Sequence, residues 1–280
     1  MYRFNVRDIN FYPGNPIVLI AGPCVIESEG HALFMADKLK ALCKKLRVPY
    51  IFKSSFLKAN RSSADSYVGP GLDKGLDILE KVKREISVPV ISDVHSVEQI
   101  DPVSSVLDVI QIPAFLCRQT QLIVDAAKTN KIINIKKGQF LAPWDIKNVI
   151  QKVLSTGNEK VLITERGSTF GYNNLVVDMR SLDIIKRFGV PVVFDATHSV
   201  QLPGGQGICS GGQREFVGCL ARAAVSIGIN ALFLEVHDKP EIAKCDGPNM
   251  ITFQELEEFM PLLLQIDGMV KKESLDGKCY

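Results

Sequence analysis

Residues 72–93 read Leu-Asp-Lys-Gly-Leu-Asp-Ile-Leu-Glu-Lys-Val-Lys-Arg-Glu-Ile-Ser-Val-Pro-Val-Ile-Ser-Asp, and this stretch decides the fold class. Leu72, Leu76, Leu79 and Val82 recur at three- and four-residue spacing while Lys74, Asp77, Lys81 and Lys83 fall elsewhere, the pattern of a helix with one apolar stripe. Val90-Ile-Ser-Asp93 follows as a short β-branched run of strand length. Working outward, similar runs stand at 17–21, 50–53, 109–111, 132–136, 161–164, 192–195 and 232–236, and continuous apolar runs of this kind fit strands buried on both faces. Between them, 29–46, 119–129, 145–155, 178–188, 214–227 and 253–270 repeat the helical spacing. Strict strand–helix alternation predicts a parallel sheet with helical crossovers.

Eight such units in 280 residues match an α/β chain folded as a (β/α)8 TIM barrel. An open doubly wound sheet would usually carry fewer strands and a Gly-x-Gly-x-x-Gly fingerprint after the first strand, which is absent here. The chain therefore reads as one barrel domain over 1–280, with 1–14 as an N-terminal extension. In that extension Phe4, Val6 and Phe11 before Pro13-Gly14 predict a short hairpin plugging the bottom of the barrel.

Lys plus Arg number 33 against 31 for Asp plus Glu, so the net charge of +2 provides no general attraction to nucleic acid or membrane. Seven cysteines, Cys24, Cys43, Cys117, Cys209, Cys219, Cys245 and Cys279, are an odd number without framework spacing, which predicts reduced thiols. The N-terminus lacks the apolar core of a signal peptide, and the most apolar runs fall far short of the ~20 residues that span a bilayer. The expectation is a cytoplasmic protein.

A barrel of this kind builds its active site at the C-terminal ends of the strands. Those positions read Cys24, Lys53, Asp93 with His95, Gln111, Lys136, Arg166, Asp195 with His198, and Glu235 with His237. The residue types sort into two groups. Lys53, Lys58, Lys136 and Arg166 suit a phosphate and a carboxylate, and beside them Asn60, Arg61 and Ser62 offer further donors for a small anion. Cys24, His198, Glu235 and Asp246 supply a thiol, an imidazole and two carboxylates, a set suited to a divalent metal: Zn, Fe or Mn, without a choice among them. Singly, Cys24 reads as a small buried hydrophobe, His198 as a hydrogen-bonded core residue and Glu235 as a partner for a barrel lysine; together they converge from neighbouring strands. Cys245, next to Asp246, is assigned no role. The glycine-rich segment 199–213 is read as a mobile active-site loop that closes over substrate.

Several ordered motifs carry a resemblance: Lys58-Ala-Asn-Arg-Ser-Ser63, Gly69-Pro-Gly71, Ser92-Asp-Val-His95, Gln111-Ile-Pro-Ala-Phe115, Arg118-Gln-Thr120, Asn134-Ile-Lys-Lys137, Phe170-Gly-Tyr172, Asn174-Leu-Val-Val-Asp-Met179 and Phe194-Asp-Ala-Thr-His198. From about residue 17 to residue 265 the chain resembles the 3-deoxy-D-manno-octulosonate 8-phosphate synthases. The resemblance implies a homotetramer that condenses phosphoenolpyruvate with D-arabinose 5-phosphate and water, releasing inorganic phosphate, with a product that feeds lipopolysaccharide biosynthesis. By motif position, Lys58, Lys136 and Arg166 would hold phosphoenolpyruvate with Lys53 and Gln111 nearby, and Asn60, Arg61 and Ser62 would receive the sugar phosphate. Arg118 would act across a subunit boundary, and Asp93, Lys58, Lys136 and His198 would form the catalytic group. Cys24, where the metal-free class has Asn, and Gln201-Leu-Pro-Gly-Gly205 resemble the metal-dependent class. The related synthase that uses erythrose 4-phosphate carries Lys-Pro-Arg-Thr where this chain has Lys58-Ala-Asn-Arg-Ser, which argues against that alternative. A non-catalytic barrel that senses sugar phosphate or metal is the third reading, and it predicts missing site residues.

Overall fold

A computed structural model describes residues 3–61, 63, 65–204 and 211–275. Ser62 and residues 205–210 of the glycine-rich segment, both part of the site expected from sequence, lie outside the described residues.

Eight parallel strands close into a barrel: β1 (Val18–Gly22), β2 (Tyr50–Lys53), β3 (Val90–Asp93), β4 (Val109–Ile112), β5 (Ile132–Lys136), β6 (Val161–Glu165), β7 (Val192–Asp195) and β8 (Ala231–Glu235). Each pairs with its sequence neighbours, and β8 returns to β1 with Glu235 opposite Gly22. The crossovers carry α1 (Glu29–Leu46), α2 (Leu72–Glu85), α3 (Ile100–Val106), α4 (Thr120–Lys128), α5 (Ile146–Leu154), α6 (Arg180–Lys186) and α7 (Val217–Ser226); α8 (Phe253–Leu275) closes the ring. This is the (β/α)8 TIM barrel that the alternation predicts. The sequence reading finds no helix where α3 lies. That element has 7 residues, too few for a clear apolar stripe, and Pro102 stands in its first turn, where a missing N–H breaks no ladder bond.

Alternation along each strand divides the core. Leu19, Ala21, Phe52, Val90, Ile110, Leu232 and Leu234 face the helices, while Val18, Ile20, Ile51, Ile91, Val109, Ile132, Leu162, Val193, Ala231 and Phe233 fill the barrel interior. The predicted hairpin pairs Phe4–Val6 with Ile9–Phe11, and Phe4, Val6, Ile9 and Phe11 cover the lower end of that interior layer. Moving up the strands in the same parity reaches Lys53, Asp93, Gln111, Asn134, Lys136, Thr164, Asp195 and Glu235, all buried. The period that builds an apolar floor thus delivers a polar ring to the opposite mouth. Gly22 permits the tight join at this level, because a Cβ there would sit 2.0 Å from the Lys53 carbonyl oxygen.

Candidate active site

A continuous band of hydrogen bonds crosses five strands at the barrel mouth. Thr164 Oγ1 donates to Asn134 Oδ1 at 2.7 Å, Asn134 Nδ2 donates to Gln111 Oε1 at 2.8 Å, and Gln111 Nε2 donates to Asp93 Oδ1. From the other side Ser55 Oγ donates to Asp93 Oδ2, and Lys53 Nζ donates to Ser55 Oγ at 3.0 Å. Lys53 also reaches the Cys24 carbonyl at 3.1 Å and Glu235 Oε1 at 3.3 Å, so its ammonium is fully engaged and fixed. Buried polar groups held this way have little freedom to reorganise, which is what a preorganised site needs.

Above the band opens a cavity of about 450 Å3, of a size that holds two small metabolites. Lys58, Arg61, Lys136 and Arg166 bring positive charge to its wall, and Asn60, Asp93, Gln111 and His198 also line it. Lys136 Nζ bonds Asp195 Oδ2 and lies 3.7 Å from the centre of the Phe233 ring. Burial pushes its ammonium pKa down, against the pull of Asp195. Arg166 Nη2 donates to Gln201 Oε1 at 2.9 Å, while its buried Nη1 finds no partner among the described residues. An unpaired guanidinium N–H on a residue that lines the cavity is a donor suited to an anion.

The thiol, imidazole and carboxylates gather at one side of the same mouth. Cys24 Sγ lies 3.4 Å from Asp246 Oδ2, and His198 Nε2 lies 3.6 Å from Glu235 Oε1 and 3.9 Å from Asp246 Oδ2. Asp195 Oδ2 sits 2.7 Å from His198 Nδ1, which turns the ring's other nitrogen toward Glu235. Asp246 reaches this place from the last loop in a left-handed backbone conformation at φ 50°, one that Asp tolerates better than most residues. Burial alone would raise the Glu235 carboxyl, but His198, Lys53, Lys58 and Lys136 outweigh it and hold it at about 2. The second oxygen, Oε2, is buried without a partner among the described residues. Burial, the Cys245 thiol and Glu235 push the Cys24 thiol well above its ordinary range. Anionic Glu235, an unpartnered carboxylate oxygen and a thiol that needs a cation to ionise make a donor set that fits a divalent metal.

The sequence matches the family described as the DAHP synthetase I family over residues 5–272. The 2-dehydro-3-deoxyphosphooctonate aldolase of Geobacter sulfurreducens is 59% identical over 269 residues, covering 96% of this chain and 99% of the relative. The protein of the same name from Trichlorobacter lovleyi is 60% identical over 269 residues, with the same coverage. That from Geotalea daltonii is 58% identical over 269 residues, again covering 96% of this chain and 99% of the relative.

The chain belongs to the DAHP synthetase I family.

Within this family the named relatives favour the octulosonate branch read from the motifs over the erythrose 4-phosphate branch. The structure brings Lys53, Lys58, Asn60, Arg61, Asp93, Gln111, Lys136, Arg166, His198 and Asp246 to one cavity, with Cys24 and Glu235 buried beneath it. Arg118 is exposed and does not line the cavity of its own chain. His237, read as a strand-end candidate, turns away and places Nε2 3.2 Å from Glu27. Asp195 entered the sequence reading only as a strand end, yet it joins Lys136 to His198; its place three residues before His198 in Phe194-Asp-Ala-Thr-His198 was the available signal. Cys245, given no role from sequence, places Sγ 3.0 Å from Cys24 Sγ.

Proposed function

We propose that this enzyme joins C3 of phosphoenolpyruvate to the aldehyde carbon of D-arabinose 5-phosphate, adds water at C2 and releases inorganic phosphate with cleavage of the C2–O bond. The observation that carries this reading is one cavity lined by cations and amides with the Cys24, His198, Glu235 and Asp246 donors gathered at its side, in a chain nearly 60% identical to aldolases named for the octulosonate product.

Phosphoenolpyruvate carries its charge on a phosphate and a carboxylate, and Lys58, Lys136 and the free Nη1 of Arg166 suit those two groups. Holding both ends fixes C3 against the aldehyde, converting an encounter of two solutes into a positioned reaction. Asn60, Arg61 and Ser62 receive the sugar phosphate. Asp93, anionic within the hydrogen-bonded band, and Glu235 place negative charge where positive character develops at C2 during bond formation. Asp195 keeps the His198 ring oriented, and the Lys136 ammonium bonded to the same carboxylate is fixed with it. Cys24, His198, Glu235 and Asp246 would hold a divalent cation, zinc, iron or manganese, and when bound it supplies Lewis acidity at that wall. The protein acts in the cytoplasm, as a homotetramer, in lipopolysaccharide biosynthesis. No helix among the described residues is long and apolar enough to cross a membrane.

The test is phosphate release from phosphoenolpyruvate with each of two sugars. Turnover is expected with arabinose 5-phosphate and a much lower rate with erythrose 4-phosphate; no turnover with either would overturn the enzymatic reading. A strong chelator should abolish activity and added divalent metal restore it. Full activity after verified metal removal refutes the metal assignment.

A further inference from the structure

Cys245 stands at the floor of the cavity, 2% exposed, between two features of the site. On one side its Sγ is 3.0 Å from Cys24 Sγ; on the other it accepts a hydrogen bond from Arg61 Nη1 at 2.7 Å. Both thiols are free. Two sets of donor atoms, Cys24, Cys245, Asp246 and His198, Glu235, Asp246, each lie within 4.8 Å of one another, and Asp246 belongs to both. The donors therefore form one cluster joined at Asp246, with two sulfurs in it.

We infer that Cys245 is a second thiolate ligand of the cation held by Cys24, His198, Glu235 and Asp246, making the centre one that selects zinc or ferrous iron over manganese. The inference rests on the metal reading above. With five donors, two thiolates about 2.3 Å from the ion stand about 3.3–4.0 Å apart, so the pair needs to open by ~1 Å or less. The Arg61 guanidinium supplies positive charge beside the second sulfur, as thiolates require. Glu235 contributes through Oε2, the oxygen without a partner among the described residues, because Oε1 already accepts from Lys53. Soft sulfur ligands favour zinc and iron, whereas a hard ion such as manganese gains little from a second one. A single thiolate among oxygen donors would discriminate less. The same Arg61 that lines the substrate cavity then touches a metal ligand, so anion binding and metal binding meet at one side chain.

The test uses reduced full-length protein stripped of metal and loaded with cobalt(II), reading the sulfur-to-cobalt charge-transfer absorption in the near ultraviolet. Cys245→Ser is expected to lose about half of the wild-type intensity and Cys24→Ser to keep about half, because each sulfur contributes one bond. Cys245→Ser should also bind zinc more weakly while its manganese affinity changes less. A Cys245→Ser protein with the full band, or a Cys24→Ser protein with none, overturns the inference and leaves the metal reading standing. A wild-type protein that takes up no cobalt overturns both. If Cys245→Ser fails to fold, the residual band of Cys24→Ser decides alone.

Discussion

Asp93 is held by charge at a depth where charge is unfavourable. Burial by itself would favour its neutral form, but Lys53 and Lys58, with His95 and Lys136, reverse this and hold the carboxyl well below the usual carboxylate range. In the unfolded chain it returns to about 3.9, so below that value the unfolded state binds the extra proton. The stabilisation from Asp93 is complete above about pH 4 and drains as pH falls further toward the folded-state value. Urea denaturation of wild type and Asp93→Asn should therefore show a stability gap that is widest near neutrality and closes in acid; a gap independent of pH would sink the assignment. Lys53, Asp93, Gln111 and Lys136 were legible in the sequence because they stand at the C-terminal ends of their strands, where a barrel opens its mouth. Cys245 was not, because its approach to Cys24 depends on the turn at Asp246, with φ 50°, and periodicity carries no information about such loops. Ser62 lies outside the described residues, so its place rests on the motif alone.

At the scale of elements, the loop after β8 is tied down by the loop after β1. Glu27 Oε1 accepts from the Lys244 backbone N–H at 2.9 Å and lies 3.2 Å from His237 Nε2, while the Lys239 N–H donates to His237 Nδ1 at 2.9 Å. This clasp sets the course of the chain from β8 to Cys245 and Asp246. Removing the carboxylate leaves the buried His237 Nε2 unpaired, whereas the exposed Lys244 N–H can turn to water, and a buried group left unpaired in this way costs about 1–3 kcal/mol. Glu27→Ala is expected to lower the unfolding free energy by an amount in that range and to weaken metal binding in a chelator competition, whereas Glu27→Gln, which keeps an acceptor oxygen, should recover most of both. Metal affinity equal to wild type in Glu27→Ala would show that the clasp does not position the loop. Elements were legible to within a residue or two in β5 and α2, the reading of α8 stopped at 270 where the helix runs to Leu275, and α3 was lost because its pattern is short. The two-residue ladders at the mouth, Ser168–Thr169 with Leu175–Val176 and Gln201–Leu202 with Gly211–Gly212, are likewise too brief to leave a period.

For the whole molecule, alternation and length together made the barrel readable, since eight buried parallel strands have few other ways to close. Phe115, Trp144, Phe170 and Tyr172 stand exposed on the loops after β4, β5 and β6, Tyr172 at 98%, and an isolated chain gains nothing from presenting four large aromatics to water. Arg118, equally exposed, lies just beyond Phe115. In the tetramer proposed above Arg118 enters a neighbour's cavity, and this arrangement has a kinetic signature. Arg118→Ala should raise KM for arabinose 5-phosphate with metal content unchanged, and Lys136→Met should abolish turnover, because it removes a cation from the wall that holds phosphoenolpyruvate. Oligomers reassembled from a mixture of the two variants would contain sites that keep their own Lys136 and borrow an intact Arg118 from the neighbouring Lys136→Met chain. Such mixtures should turn over faster at low sugar phosphate than the two variants assayed apart, and sedimentation should give four copies per particle. Activity that merely averages the two parents would show that Arg118 does not complete a neighbour's site.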